Sequence, residues 1–456
     1  MNARVILAMT AAKLVRMLLR FTGRGGTALP GRIALKVCPD LLHHLAKNVN
    51  TVLVTGTNGK TTSCRIAEQL LKEAGYSCFA NRGGANLAQG ITTEFAMNAT
   101  ITGKNKFPWA VIECDEAAAK SVCKSIDPKV ILVTNVFSDQ LDRFGDVSNT
   151  LESIRAGLKN APHAILCLNA DCSLSATLGD DLPNRVVWYG VETSIYRNRV
   201  DEVSDAPRCT VCGSEYVYAW QTYGHLGGFR CSKCGFSRPA ADVAVTQIVE
   251  QNTECTRIRI RLENKEFPAI IGVPGGFNVY NTAGVAAVGL ALDMKADTIL
   301  RAPQMFNCGF GRMEKIDMNG VSARMILIKN PAGCNQTLNF LTNLDGNSLF
   351  VIALNDFAGD GTDISWIWDA DFERLNTLGD RLTGVYCAGT RASEMALRLK
   401  YAGLPMEKLR VFQDYDSVID AICQQNESVI MMPTYSAMLS MREKLGQRFK
   451  LKDFWE

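Results

Sequence analysis

The sequence predicts an α/β protein: a large doubly wound domain carrying a small cysteine-held insertion, followed by a smaller α/β domain. Three observations carry that expectation. Residues 51–74 read as strand, glycine turn and amphipathic helix. Two Cys-x2-Cys pairs, Cys209/Cys212 and Cys231/Cys234, interrupt the alternation of strands and helices that follows. From about residue 320 a second such alternation begins.

Size and composition bound the rest. The chain has 456 residues, 47% in the hydrophobic set and 21% charged, which is ordinary for a globular protein with ample core. A net charge of +3 gives no case for a polyanion partner. Most of the 16 cysteines stand singly in apolar runs, as Cys78, Cys167 and Cys387 do, which suits small core residues in a reducing, cytoplasmic compartment. Residues 1–36 hold seven basic residues and no acidic one, and the longest uncharged run, Val5 to Ala12, is too short to span a bilayer. The segment reads as a basic helix packed on the first domain, and its basic face would also suit anionic lipid head groups.

Thr51-Val52-Leu53-Val54 is an apolar, β-branched run that suits a buried parallel strand. In Ser63 to Ala74, Ile66, Ala67, Leu70, Leu71 and Ala74 recur at helical spacing. Between them lies Thr55-Gly56-Thr57-Asn58-Gly59-Lys60-Thr61-Thr62. Two glycines let the backbone curl with N–H groups inward, and the helix N terminus adds partial positive charge, so this reads as a phosphate-binding loop. Lys60 is placed to reach β- and γ-phosphates, and Thr61 to put its hydroxyl on Mg²⁺. Thr57, Asn58, Gly59 and Thr62 complete the candidate nucleotide contacts.

Further strands are expected at Ala110-Glu113, Val130-Thr134 and Ala164-Leu168, each ending near polar residues at the sheet edge where such folds bind ligands. Glu113 ends its apolar run and is the candidate second Mg²⁺ ligand, whereas Asp115 and Glu116 suit the start of the next helix. Asn135, Asp139-Gln140-Leu141-Asp142 and Asn169-Ala170-Asp171 repeat the polar edge. Arg82 to Asn86 is a glycine-rich stretch open to a phosphate or substrate role.

The four cysteines, with 18 residues between the pairs and a glycine after each, fit two knuckles around tetrahedral Zn²⁺. Tyr216, Tyr218, Trp220, Tyr223 and Phe229 between them suit a small β-ribbon, inserted at about residues 205–240. Four thiolates close the coordination shell, so the zinc would be structural. Beyond it, Asn278 and Asn281 share one face of a helix starting near Gly275 and are candidates to approach a base or sugar. Arg312 is a candidate for phosphate. In the last third, Asp356, Asp360, Asp363 and Asp369 crowd around Trp366 and Trp368 just past a strand, an expensive arrangement unless ligands or partners offset the repulsion.

These residues together resemble the Mur ligase superfamily. The loop at 55–62, Glu113, Asn135 with Asp139–Asp142, Asn169 and Asp171, Asn278 and Asn281, and Gly311-Arg312-x-Glu314 recur in that family's order over roughly residues 50–340. The cysteine ribbon and the Asp-Gly-x-Asp-x-Ser-Trp stretch resemble one branch, the synthetase subunits of lipid II isoglutaminyl synthases, over nearly the whole chain. The resemblance implies a Mur ligase-type central ATPase domain over 51–318, a basic segment at 1–50 packed on it, and a C-terminal α/β domain over 319–456 that contacts a partner.

It further implies ATP-dependent activation of the D-glutamate α-carboxyl of the lipid II stem peptide and amidation with ammonia. The ammonia would come from a separate, GatD-like glutaminase subunit in a heterodimer, working at the inner face of the membrane. The chain lacks a Gly-x-Cys-x-Gly elbow of its own; Val385-Tyr-Cys387-Ala-Gly389 is the nearest stretch. Asp360, then Asp356, is the aspartate expected to complete the partner's Cys–His pair. Gln140 stands where amino-acid-adding members carry a metal-holding histidine, and Ile328-Lys329-Asn330-Pro331 stands where they carry Asp-x-Ala-His-Asn-Pro. The rival readings are an amino-acid-adding ligase of the folylpolyglutamate kind and, in another class, a zinc-ribbon nucleic-acid-binding module.

Overall fold

A computed structural model describes residues 3–21, 27–82, 85–137, 147–180, 182–195, 206–252, 254–306, 312–344, 346–425, 427–449 and 451. Strands β1 (Asn50–Thr55), β2 (Cys78–Ala80), β3 (Trp109–Glu113), β4 (Val130–Val133), β5 (Ile165–Asn169) and β6 (Val186–Val191) form the parallel part of one large sheet. With β9 (Val243–Gln251), β10 (Thr256–Leu262) and β11 (Lys265–Ile271) it has nine strands in the order β11-β10-β9-β6-β5-β4-β1-β3-β2. Val52 to Val54 and all of β4 are buried, as central strands covered on both faces must be. The last three strands form an antiparallel meander, and β9 joins β6 in parallel.

Helices α4 (Lys60–Glu73) and α9 (Gly276–Ala291) pack on this sheet and on each other. The small residues of α9 permit a close approach: a Cβ on Gly284 would stand 3.0 Å from Leu132 and 3.1 Å from Tyr189. Before β1, α1 (Ala3–Phe21), α2 (Leu29–Val37) and α3 (Leu41–Ala46) pack on α5 (Ala88–Met97). Gly31 is the tight point, since a Cβ there would lie 1.9 Å from the Gln89 carbonyl. Among the described residues, no helix is long and apolar enough to cross a membrane.

The inserted hairpin, β7 (Tyr216–Tyr223) and β8 (Leu226–Cys231), stands between β6 and β9 in the chain and forms its own two-stranded sheet. The second α/β unit has β12 (Arg312–Met318), β13 (Val321–Ile326), β14 (Ser348–Ala353), β15 (Leu382–Ala388), β16 (Leu409–Val411) and β17 (Ser428–Pro433) in the order β12-β13-β17-β14-β15-β16. All are parallel except the β12–β13 hairpin. Residues 312–318, which the sequence reading assigns to the end of the first domain, are therefore hydrogen-bonded into the second sheet. Arg-Met-Glu-Lys-Ile-Asp-Met alternates polar and apolar residues as an edge strand does, and offers no continuous apolar run to announce it.

Candidate active site

The loop after β1 is held open by long-range bonds. Gly56 and Gly59 take φ of 115° and 86°, which a side chain would resist, and Cβ atoms there would meet Thr134 Oγ1 at 2.4 Å and Asn281 Oδ1 at 2.1 Å. Thr57 donates its N–H to the Asn135 carbonyl (3.0 Å) and its hydroxyl to the Phe137 carbonyl (3.1 Å), and accepts the Phe137 N–H (3.0 Å). The Asn135 side chain clamps Asn58 from both sides, accepting its N–H at 2.9 Å and donating to its carbonyl at 3.1 Å. The N-cap of α4 is Gly59, which has no side chain to offer the first turn. That cradle fits an anionic phosphate group on both geometry and dipole.

Lys60 is buried, with Nζ 2.6 Å from the Gly56 carbonyl, 3.3 Å from that of Thr57 and 3.0 Å from Glu116 Oε1. Glu116 does open a short 3₁₀ turn, Glu116–Ala118, as its acidic character suggests, yet its side chain turns back into the loop and is buried. The 3₁₀ turn itself is capped by Asp115. Glu113 ends β3 beside Val54, half-buried, with its backbone N–H and carbonyl both bonded by the Asn81 side chain at 2.8 Å. Burial first, and then the charges of Glu113 and Glu68, push the Cys64 thiol up, and β3 packs against α4. Thr61 is half-buried in the first turn of that helix.

Asn278 and Asn281 do share a face, and both are buried. Asn278 donates to the Pro274 carbonyl (2.8 Å), Asn281 donates to Asn278 (3.0 Å), and the Ser63 hydroxyl donates to Asn281 (3.3 Å). They brace Gly59 and the first turn of α4. The second unit reaches the loop as well: Asn330 donates to Asn58 Oδ1 (3.2 Å) while capping α11 (Pro331–Thr342) by accepting the Gly333 N–H. Residues 139–145 and Gly311 lie outside the described residues, and only the backbone of Arg312 is described, in β12. Glu314 pairs with Arg442 (3.0 Å) inside the second unit, and Arg82 pairs with both oxygens of Glu68 at 2.9 Å.

Asn169 and Asp171 are internal staples. Asn169 donates to the Thr134 carbonyl and accepts the Asp171 N–H. The fully buried Asp171 carboxylate accepts from Arg238 Nε (2.6 Å), the Tyr280 hydroxyl (2.7 Å) and the Val191 N–H (2.7 Å). Burial pushes this carboxyl up, against the pull of Arg238. The inserted hairpin is anchored here, with Trp220 donating to the Val191 carbonyl and Thr222 bonded to Tyr280. Its tip buries His225 against Phe137 (ring centroids 4.5 Å) and 3.3 Å from Cys172 Sγ. This Cys–His pair is completely buried, so it cannot serve as a glutaminase nucleophile and base for a soluble substrate.

The Sγ atoms of Cys209, Cys212, Cys231 and Cys234 all lie within 4.8 Å of one another, with Cys209–Cys234 at 3.6 Å and Cys212–Cys231 at 3.4 Å. Tetrahedral Zn²⁺ with Zn–S of about 2.3 Å sets S–S edges of about 3.8 Å, so the cluster fits that ion.

The acid-rich loop after β14 largely satisfies itself. Asp356 pairs with Arg391 Nε (2.7 Å) and Thr390 (3.0 Å), which holds its carboxyl below the usual range. Asp360 is buried, accepting the Ser436 N–H (2.7 Å) and hydroxyl at the start of α14 (Tyr435–Arg448). Asp363 accepts the Ser365 N–H (2.8 Å) at the start of the 3₁₀ turn Ser365–Trp368. Internal donors thus relieve most of the repulsion that suggested external ligands.

A doubly wound sheet with a phosphate loop on its first strand, a second α/β unit touching that loop and this edge of acids and amides define a Mur ligase-type protein. The family described as "Mur ligase middle domain" matches residues 54–227, and "MurT ligase C-terminal" matches 327–438. A MurF crystal structure from Acinetobacter baumannii superposes with a TM-score of 0.66 at 16% identity, covering 91% of this chain and 80% of that one. Subunit MurT of the glutamine-hydrolysing lipid II isoglutaminyl synthase of Streptococcus pneumoniae is 33% identical over 98% of both chains. Its counterpart in Staphylococcus aureus (strain COL) is 32% identical over 97% of this chain and 98% of its own. The chain belongs to the MurT family.

Proposed function

We propose that the chain is the synthetase subunit of a lipid II isoglutaminyl synthase, amidating the α-carboxyl of the stem-peptide D-glutamate in peptidoglycan synthesis. The observation that carries the reading is the loop at 55–62 with buried Lys60, in a chain that matches MurT subunits along its whole length. ATP enters as substrate. The carboxylate oxygen bonds to the γ-phosphorus as the bond to ADP breaks; ammonia then adds to the acyl carbon, phosphate leaves, and the nitrogen loses a proton.

The chain's own part in this is positioning and charge. Thr57, Asn58, Gly59, Thr61 and Thr62 present loop and helix groups to the phosphates, held in shape by Asn135, Asn278, Asn281 and Asn330. Lys60, kept in the site by Glu116, offsets charge on the transferring group. Arg312 is a further phosphate-binding candidate. Thr61 and Glu113 would hold Mg²⁺, which neutralises phosphate charge when bound. The four cysteines would hold structural Zn²⁺, which stiffens a hairpin with a core too small to fold unaided.

A GatD-like glutaminase subunit would supply ammonia, because the chain's buried Cys172–His225 pair cannot. Asp360 is the first candidate to complete the partner's Cys–His pair, and Asp356 the second. Service by Asp360 would require its carboxylate to exchange Ser436 for the partner. The test is ATP-dependent conversion of purified lipid II by this chain with ammonium chloride, read by mass spectrometry. The reading expects a product changed by OH to NH2; a larger gain dependent on an added amino acid would instead establish an amino-acid-adding ligase.

A further inference from the structure

Helix α1 is apolar on two sides. One side, with Val5, Ala8, Met9 and Ala12, is buried against the domain. On the other, Leu7, Leu14, Leu18 and Phe21 are exposed, Phe21 by 82% and Leu7 by 62%. At 100° per residue, the first three fall within about 20° of one line along the helix and Phe21 within about 40°. Met17 (48% exposed) extends the stripe to one flank, and Leu29, at the start of α2, is exposed as well. A second apolar face on a helix that already buries one calls for a partner surface, and among the described residues no core covers this side of α1.

The surrounding charge says which surface fits. Arg4 on α1 and Arg32 and Lys36 on α2 are exposed, and no acidic residue occurs before Asp40. The acids nearest the stripe are Asp40, before α3, and the half-buried Glu94 of α5, which interacts with Arg16; the exposed border of the stripe itself is basic, and an apolar stripe with a mainly basic border matches the headgroup–acyl boundary of an anionic membrane. The 19 residues of α1 include Arg4, Lys13, Arg16 and Arg20, and the helix is held sideways by its buried face, so it would lie along the interface and not cross it. We infer that the outward face of α1, Leu7, Leu14, Leu18 and Phe21 with Arg4, Arg32 and Lys36, docks this protein on an anionic bilayer surface. This deepens the reading above, since it would bring the loop at 55–62 to a substrate whose lipid stays in that bilayer, but the docking can be tested without substrate.

The test is co-sedimentation of the full chain with sucrose-loaded vesicles of mixed phosphatidylglycerol and phosphatidylcholine, and with phosphatidylcholine alone. The expected result is binding to the anionic vesicles that weakens with salt, little binding to the neutral ones, and a loss of about tenfold or more for Leu14→Glu/Leu18→Glu. A Phe21→Trp chain gives a second reading that needs no disruptive change: its added fluorescence should be quenched by brominated acyl chains. Detergent-solubilised lipid II should still be amidated by the double variant, so loss of docking and loss of the amidation reading are separate outcomes. Failure of the wild type to sediment, equal sedimentation of the double variant, or an unquenched signal from the introduced indole would overturn the inference. So would a dimer in solution that Leu14→Glu/Leu18→Glu converts to monomer without vesicle binding.

Discussion

Replacing Asp171 by alanine should be among the most destabilising single changes in the chain. The carboxylate accepts from Arg238, Tyr280 and the Val191 N–H at 2.6–2.7 Å, and the Arg238 side chain is only 9% exposed. Burial pushes the Asp171 carboxyl up, so the pair itself is not a large net source of stability. The cost lies in what is left behind: a buried guanidinium whose next acid, Glu192, stands 3.7 Å away, and a buried N–H without its acceptor. Breaking a buried pair from one side costs about 3–5 kcal/mol. For a unit of this size, at about 2 °C per kcal/mol, the melting temperature should fall by about 6–10 °C. Differential scanning calorimetry reads it, and Asp171→Ala/Arg238→Met should recover part of the loss because the orphaned charge goes too. A fall of less than about 2 °C, or a double variant worse than the sum of the singles, would refute the reasoning.

Other expectations follow from the same geometry. Lys60→Ala should lower ATP-dependent turnover by about 10²–10³-fold while leaving the fold intact, read by phosphate release. Glu116→Gln removes the acidic counter-charge of buried Lys60, leaving the Gly56 and Thr57 carbonyls, and should lower thermal stability without nucleotide; because phosphates can take over as counter-charge, the rise in melting temperature on adding ATP should be larger than in the wild type, and a smaller rise would contradict the counter-ion role. Cys231→Ser or a strong chelator should release about one zinc per chain and expose residues 206–240 to protease, while the nine-stranded sheet persists by circular dichroism. Asp360→Asn in the complex with the glutaminase subunit should abolish glutamine-dependent amidation and spare the ammonium-dependent reaction; if Asp356→Asn does this and Asp360→Asn does not, the roles of the two are exchanged.

What was legible in the sequence is what short range controls. The strand, loop and helix at 50–73 are set by consecutive residues, and the cysteine cluster is nearly as local, its two pairs joined by a single hairpin. The contacts that finish the site span the chain. Glu116 meets Lys60 across 56 residues, Asn135 meets Asn58 across 77, and Asn330 meets Asn58 across 272. Glu116 could have been found by noticing that an acid three residues past a strand end still lies at the loop edge. Asn330 could have been found because Asn-Pro before an apolar helix marks a cap, and α11 points that cap at the loop. Asp171 and the aspartates at 356–363 read as ligand groups because a carboxylate at a strand end is usually exposed; their internal donors come from Arg238, Arg391 and Ser436, which no local pattern reveals.

The most direct test of the amidation mechanism uses lipid II with an ¹⁸O-labelled D-glutamate α-carboxyl, incubated with the chain, ATP and ammonium. Carboxylate activation predicts amidated lipid II together with inorganic phosphate carrying the label, both abolished by Lys60→Ala. Amide formation with unlabelled phosphate, or labelled phosphate that appears only when an amino acid is added and joined, would contradict the account.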